Sequence, residues 1–150
     1  MDDPIRVLIL DEDETFRQRV RVLLEKASGI LVVGDVQDSQ QAPALVHDAQ
    51  PDVVLLCIAR CPEDGLQTVA QIAATVPDTR IIVLNENEQK DQVLEAFRRG
   101  AWGHLERGLA LGPKVISTVR ATRRGEAILS PDVAGHILDE VAREKRKDEE

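Results

Sequence analysis

Five times along the chain, a short run of β-branched and aliphatic residues is followed by apolar residues at helical spacing, and this alternation constrains the fold more than any other feature. Residues 5–10 read as a strand that is apolar on both faces. Phe16, Val20, Leu23, Leu24 and Ala27 then mark one face of a helix, with Asp13 placed to cap it, Glu14 in its first turn and Gly29 as a stop. Residues 30–33 predict a second strand, and 41–48 a helix whose start Pro43 makes irregular. The most apolar run, 53–58, precedes a helix carrying Leu66, Val69, Ala70 and Ala73. A fourth strand at 80–84 leads to a helix with Val93, Ala96 and Phe97 inward and Gly100 at its left-handed cap. A fifth at 103–105 precedes a helix over 113–124 that buries Ile116 and Val119.

Parallel strands need crossovers, and strands apolar on both faces need helices on both sides of the sheet. The expected fold is therefore α/β, a doubly wound five-stranded parallel sheet. Such sheets place their sites beyond the carboxyl ends of the strands, where the strand order reverses. Asp11, Glu12, Cys57, Asn85 and Arg107 lie at or just after those ends. A sixth helix starts at Ser130 and Pro131, with Val133, Ile137, Leu138 and Val141 as its stripe, and ends in a wholly charged run over 143–150. The chain divides into a domain over 1–127 and a C-terminal helix with a charged linker or tail over 128–150.

Composition narrows the function. At 150 residues the chain suits one domain, long enough to bury about 70% of its extended-chain surface. Its 27 acids against 19 bases give a net charge of −8, which a phosphate backbone repels. Phe16, Phe97 and Trp102 are the aromatics, too few to stack single-stranded bases. The apolar runs are too short to span a bilayer and the acidic N-terminus lacks a signal-peptide pattern, so a cytoplasmic protein is expected. Cys57 and Cys61 make neither a disulfide framework nor a four-ligand zinc set.

Several segments carry a resemblance: Ile5-Arg6-Val7-Leu8-Ile9-Leu10-Asp11-Glu12-Asp13, Val32-Val33-Gly34-Asp35, Pro51-Asp52-Val53-Val54-Leu55-Leu56 and Pro77-Asp78-Thr79-Arg80-Ile81-Ile82-Val83-Leu84. Arg99-Gly100-Ala101-Trp102-Gly103-His104-Leu105 and Gly125-Glu126-Ala127-Ile128-Leu129-Ser130-Pro131 extend it over nearly the whole chain. Together they resemble the receiver domain of two-component response regulators, in the branch with a helix-turn-helix output domain. The resemblance implies a flavodoxin-like strand order, 2-1-3-4-5, with an extra C-terminal helix. It also implies two metal-holding acids, at Asp11 and Glu12, and an aspartate that accepts a phosphoryl group, at whose position Cys57 stands. Asn85 replaces the hydroxyl residue that senses that group, Arg107 falls nearest the family's lysine, and His104 takes the place of the aromatic switch. Arg60-Cys61-Pro62 replaces a Met-Pro pair in the loop after the acceptor.

The chemistry at these positions argues against phosphoryl transfer. A thiol lacks the second oxygen with which a carboxylate holds a metal while attacking, and Asp11 and Glu12 disfavour a thiolate beside them. No catalytic residue and no cofactor are expected, with Asp11 and Glu12 only weak magnesium candidates. An arginine bridge from Arg107 to Asp11 or Glu12 would lock the pocket without phosphate. The bases Arg98, Arg99, Arg120, Arg123 and Arg124 cluster near the fourth and fifth helices, as a docking surface or a solvated face.

The expected function is an atypical receiver, or pseudo-receiver, acting as a phosphorylation-independent interaction and dimerisation module. Its partners would be a second copy and an output domain or separate protein controlling transcription, with DNA reached only through a helix-turn-helix outside these residues and no membrane. The alternative is a thiol-based redox sensor using Cys57, for which a Cys57–Cys61 disulfide needs a loop that doubles back. A cysteine phosphatase is a weak rival, because Glu63 and Gln67 stand where its anion-loop arginine would. The first strand is followed by no glycine-rich phosphate loop, which argues against a nucleotide or flavin cofactor.

Overall fold

The computed structural model describes residues 3–58, 62–86 and 90–149. Its strands are β1 (Ile5–Leu10), β2 (Ile30–Val36), β3 (Val53–Cys57), β4 (Arg80–Asn85) and β5 (Gly103–Glu106), all parallel in the order β2-β1-β3-β4-β5. The helices are α1 (Glu14–Lys26), α2 (Ala42–Ala49), α3 (Pro62–Thr75), α4 (Lys90–Arg98), α5 (Pro113–Arg123) and α6 (Pro131–Glu149). This is the flavodoxin-like, doubly wound α/β sheet with an added C-terminal helix.

The period of two in the strands builds two cores at once. Ile5, Val7 and Ile9 of β1, Val53 and Leu55 of β3, and Ile82 and Leu84 of β4 point to one face. There they meet Phe16, Val20 and Leu24 of α1 and Val115 and Val119 of α5. Leu8, Leu10, Val54, Leu56, Ile81 and Val83 alternate to the other face, against Val46 of α2, Leu66, Val69 and Ile72 of α3, and Ala96 of α4. Neither face is wetted, so the alternation is visible only in which helix each residue meets.

Three elements differ from the expectation. α5 sinks Val115 and leaves Ile116 half-buried, because Val115 is the one its rotation turns to the core. β2 extends to Val36 rather than stopping at 33, because it keeps pairing with β1 past a register shift after Val7. A 3₁₀ segment, Arg107–Leu111, follows β5 and tucks Ala110 into the core. No apolar periodicity announces so short a turn.

The crossover through α1 runs to one side of β1 and every later one to the other, so the strand order reverses between β1 and β3. Asp11 directly follows β1 and Cys57 ends β3, which brings both to the reversal point.

Candidate functional site

Asp13 shapes the mouth of the pocket. Its side chain accepts from Phe16 N at 3.2 Å as the N-cap of α1, and its own N–H donates to Asp11 Oδ1 at 2.9 Å. Asp11 is thereby turned inward, 3% exposed. Arg17, on the inward side of α1, donates from Nη1 to the Asp11 carbonyl at 2.8 Å and from Nε to Asp35 Oδ1 of β2 at 3.2 Å. Arg21 pairs with the other Asp35 oxygen, and these two guanidinium groups outweigh burial to hold the Asp35 carboxyl below its usual range. The carboxyl ends of β1 and β2 are thus clamped to α1.

Arg107 enters from the start of the 3₁₀ segment. Its Nε donates to Asp11 Oδ2 at 3.1 Å and its Nη2 to Asp11 Oδ1 at 3.3 Å, a two-pronged bridge. Nη2 also lies 3.8 Å from Asp13 Oδ2, and the guanidinium sits 3.8 Å above the Phe16 ring. Burial works against the charge on Arg107, but Asp11, with a smaller contribution from Cys57 beside it, raises its affinity for the proton. Carboxylate, thiol and aromatic ring fix this arginine from three sides.

Leu10, Asp11, Glu12, Gln37, Ser39, Cys57, Asp64, Gly65, Glu86 and Arg107 line a pocket of about 70 Å³. Glu12 is exposed and Cys57 half-buried. Asn85 and His104 form a separate pair. His104 lies opposite Val83 in the β4–β5 register, which makes Asn85 its diagonal neighbour on the same face. The His104 Nε2–H donates to Asn85 Oδ1, while Asn85 Nδ2 donates to the Glu86 carbonyl at 2.8 Å. Nδ1 of His104 is buried and finds no hydrogen-bond partner among the described residues, and burial depresses the ring's pKa. The pair is therefore a part-buried imidazole, whose burial opposes protonation, held against a buried amide.

This donor set does not fit a magnesium ion. Both oxygens of Asp11 are taken by Arg107, Cys57 offers a soft sulfur where a hard oxygen is needed, and the described residues contain no cluster of three metal-ligating side chains.

The structure brings Asp11, Glu12, Cys57 and Arg107 to one pocket, with Asn85 and His104 tied to each other on neighbouring strands. Cys61 lies outside the described residues, and so do Arg60 and the proposed Cys57–Cys61 pairing. The basic residues do not form a free patch. Arg98 and Arg99 bind Glu95, Arg120 donates to the Ser28 carbonyl, Arg123 to that of Asp3, and Arg124 pairs with Glu126. Sequence reasoning passed over Arg17, although its position four residues after Asp13 and three before Val20 sets a charge on an inward face. It also took Phe16 for core alone and missed Gln37, Ser39, Asp64 and Glu86, which no local pattern marks.

Comparison with known proteins agrees with this architecture. The family model for the response regulator receiver domain matches residues 7–112. The transcriptional regulatory protein YxjL of Bacillus subtilis (strain 168) is 30% identical over 97% of this chain and 66% of its own length. LiaR, a transcriptional regulatory protein of the same organism, is 31% identical over 89% of this chain and 63% of its own. The chain thus spans a little under two thirds of the length of these curated relatives. A two-component response regulator of the LuxR family from Aurantimonas sp. SI85-9A1 shares the fold, with a TM-score of 0.79 at 24% identity, covering 93% of this chain and 99% of that one. Among the described residues no helix is long and apolar enough to cross a membrane. With its sheet order, its acidic strand-end pocket and a family match over most of its length, the chain belongs to the response regulator receiver domain family.

Proposed function

We propose that this receiver is not switched by aspartyl phosphorylation and works as an interaction and dimerisation module. It would control transcription through an output domain or partner protein beyond these residues, as the regulatory names of its relatives suggest. The observation that carries this reading is Cys57 at the end of β3, facing an Asp11 already neutralised by Arg107. A phosphoryl group would have to displace a two-pronged arginine from a buried carboxylate, and a sulfur would have to accept it. Asn85, committed to His104 and to the Glu86 carbonyl, has no hydroxyl to swing toward an incoming phosphate.

Incubation with magnesium and acetyl phosphate, or with beryllofluoride, is expected to leave mass, spectrum and oligomeric state unchanged. A stable phosphoryl adduct on any pocket residue overturns the proposal. The redox alternative draws support from the nearness of Arg107 to Cys57, since cationic surroundings activate thiols. Asp11 largely cancels that charge, which favours the first reading. Alkylation rates of Cys57 titrated against pH separate the two, and a thiolate formed well below neutrality speaks for the sensor.

A further inference from the structure

Among the described residues helix α6 packs chiefly on α4, and the contact is thin. Val133 is 4% exposed, whereas Leu138 and Val141 are 69% and 58% exposed. Ile137, Glu140, Val141 and Glu144 face Leu94, Phe97 and Arg98 of α4 across a gap of about 150 Å³. Two ion pairs bracket this seam: Lys90 Nζ to Asp132 Oδ2 at 3.0 Å, and Arg98 Nη2 to Glu140 Oε1 at 2.9 Å. Lys90 and Arg98 are eight residues apart, as are Asp132 and Glu140, about 12 Å along either helix. The pairs ascend both helices together, so α6 lies beside α4 pointing the same way, in a register set by charge.

Nothing in this seam matches the closure of the main cores. α5 sinks Val115 and Val119 fully into the core, but α6 buries only Val133 deeply, leaves Ile137 half-buried against α4, and is bracketed by exposed ion pairs, which salt screens. We propose that α6 is a releasable strap. Docked, it covers the Leu94–Phe97 face of α4; released, it bares that face while the sheet stays folded. The strap acts whether or not Cys57 carries chemistry.

Hydrogen exchange on the intact chain tests this, comparing the parent, D132K and the charge-swapped K90D/D132K. In dilute salt the α6 amides of the parent should be protected. D132K should cut that protection roughly fivefold without touching β3 or β4, and K90D/D132K should restore it. Near 1 M salt the parent should approach D132K, because the Debye length falls to about 3 Å. D132K should also bind more of the apolar dye anilinonaphthalene sulfonate than either of the others. The proposal is overturned if parent α6 is unprotected, if D132K matches the parent, if the swap fails to restore protection, or if α6 opens only together with β3 and β4.

Discussion

Arg107 is the residue on which the pocket turns. Its guanidinium satisfies both oxygens of a carboxylate that is almost wholly removed from water, and one aromatic face supports it. Replacing it with alanine would strand the Asp11 charge. The expected loss is about 2 kcal/mol in a urea titration, below that for a fully buried pair because Arg107 is itself one-fifth exposed. R107K should recover only part of this, since an ammonium can neither fork onto two oxygens nor stack on Phe16. His104 supplies a dependence on pH. Burial makes the folded chain bind its proton less readily than the unfolded chain does. Its contribution to stability is therefore complete above the unfolded value of about 6.5, declines as pH falls through that value, and levels off below the depressed folded one. Urea midpoints measured from about pH 8 to pH 5 should slope less for H104Q than for the parent, and identical slopes would refute this assignment.

The helices are held at distances that single residues set. Gly100 ends α4 with φ of +120°, and a Cβ built there would come within 2.5 Å of the Ala73 Cβ on α3. The position thus combines a left-handed backbone with a close approach of two helices. G100A is expected to cost about 2 kcal/mol or more, and moving the smaller partner with A73G should recover the steric share but not the backbone share. Thermal melts of the single and double variants measure that split. The first turn of α1 shows the same economy, where one Asp13 side chain caps the helix while its N–H aims Asp11. Its carboxyl position was readable as a cap, but its second use depends on the turn closing.

As a whole the molecule consists of a five-stranded sheet with a closed core on each face and one helix added outside. A division at 127/128, as the sequence suggests, would lead to a direct expectation. A chain ending at Ser130 loses only one deeply buried side chain, Val133, so it should remain folded and give up about 2 kcal/mol. Loss of cooperative unfolding in that variant would mean that α6 belongs to the domain. The strand succession, the apolar face of most helices and the strand-end location of Asp11, Cys57 and Asn85 were legible because short apolar runs and the helical period of 3.6 are local properties. The β2 extension and the 3₁₀ segment were not, since pairing with β1 and burial of Ala110 decide them.

Local periodicity in the amino-acid order was enough to settle a parallel, doubly wound sheet and the edge of it where polar groups gather, because a strand apolar on both faces and a helix with one apolar stripe each show within a few residues. Tertiary structure alone decided how those groups are spent. Arg107 meets Asp11 across 96 positions of chain, and His104 meets Asn85 only through the β4–β5 register. The seam between α4 and α6 likewise joins Lys90 to Asp132 across 42 positions. Such pairings depend on distances that only the closed sheet defines.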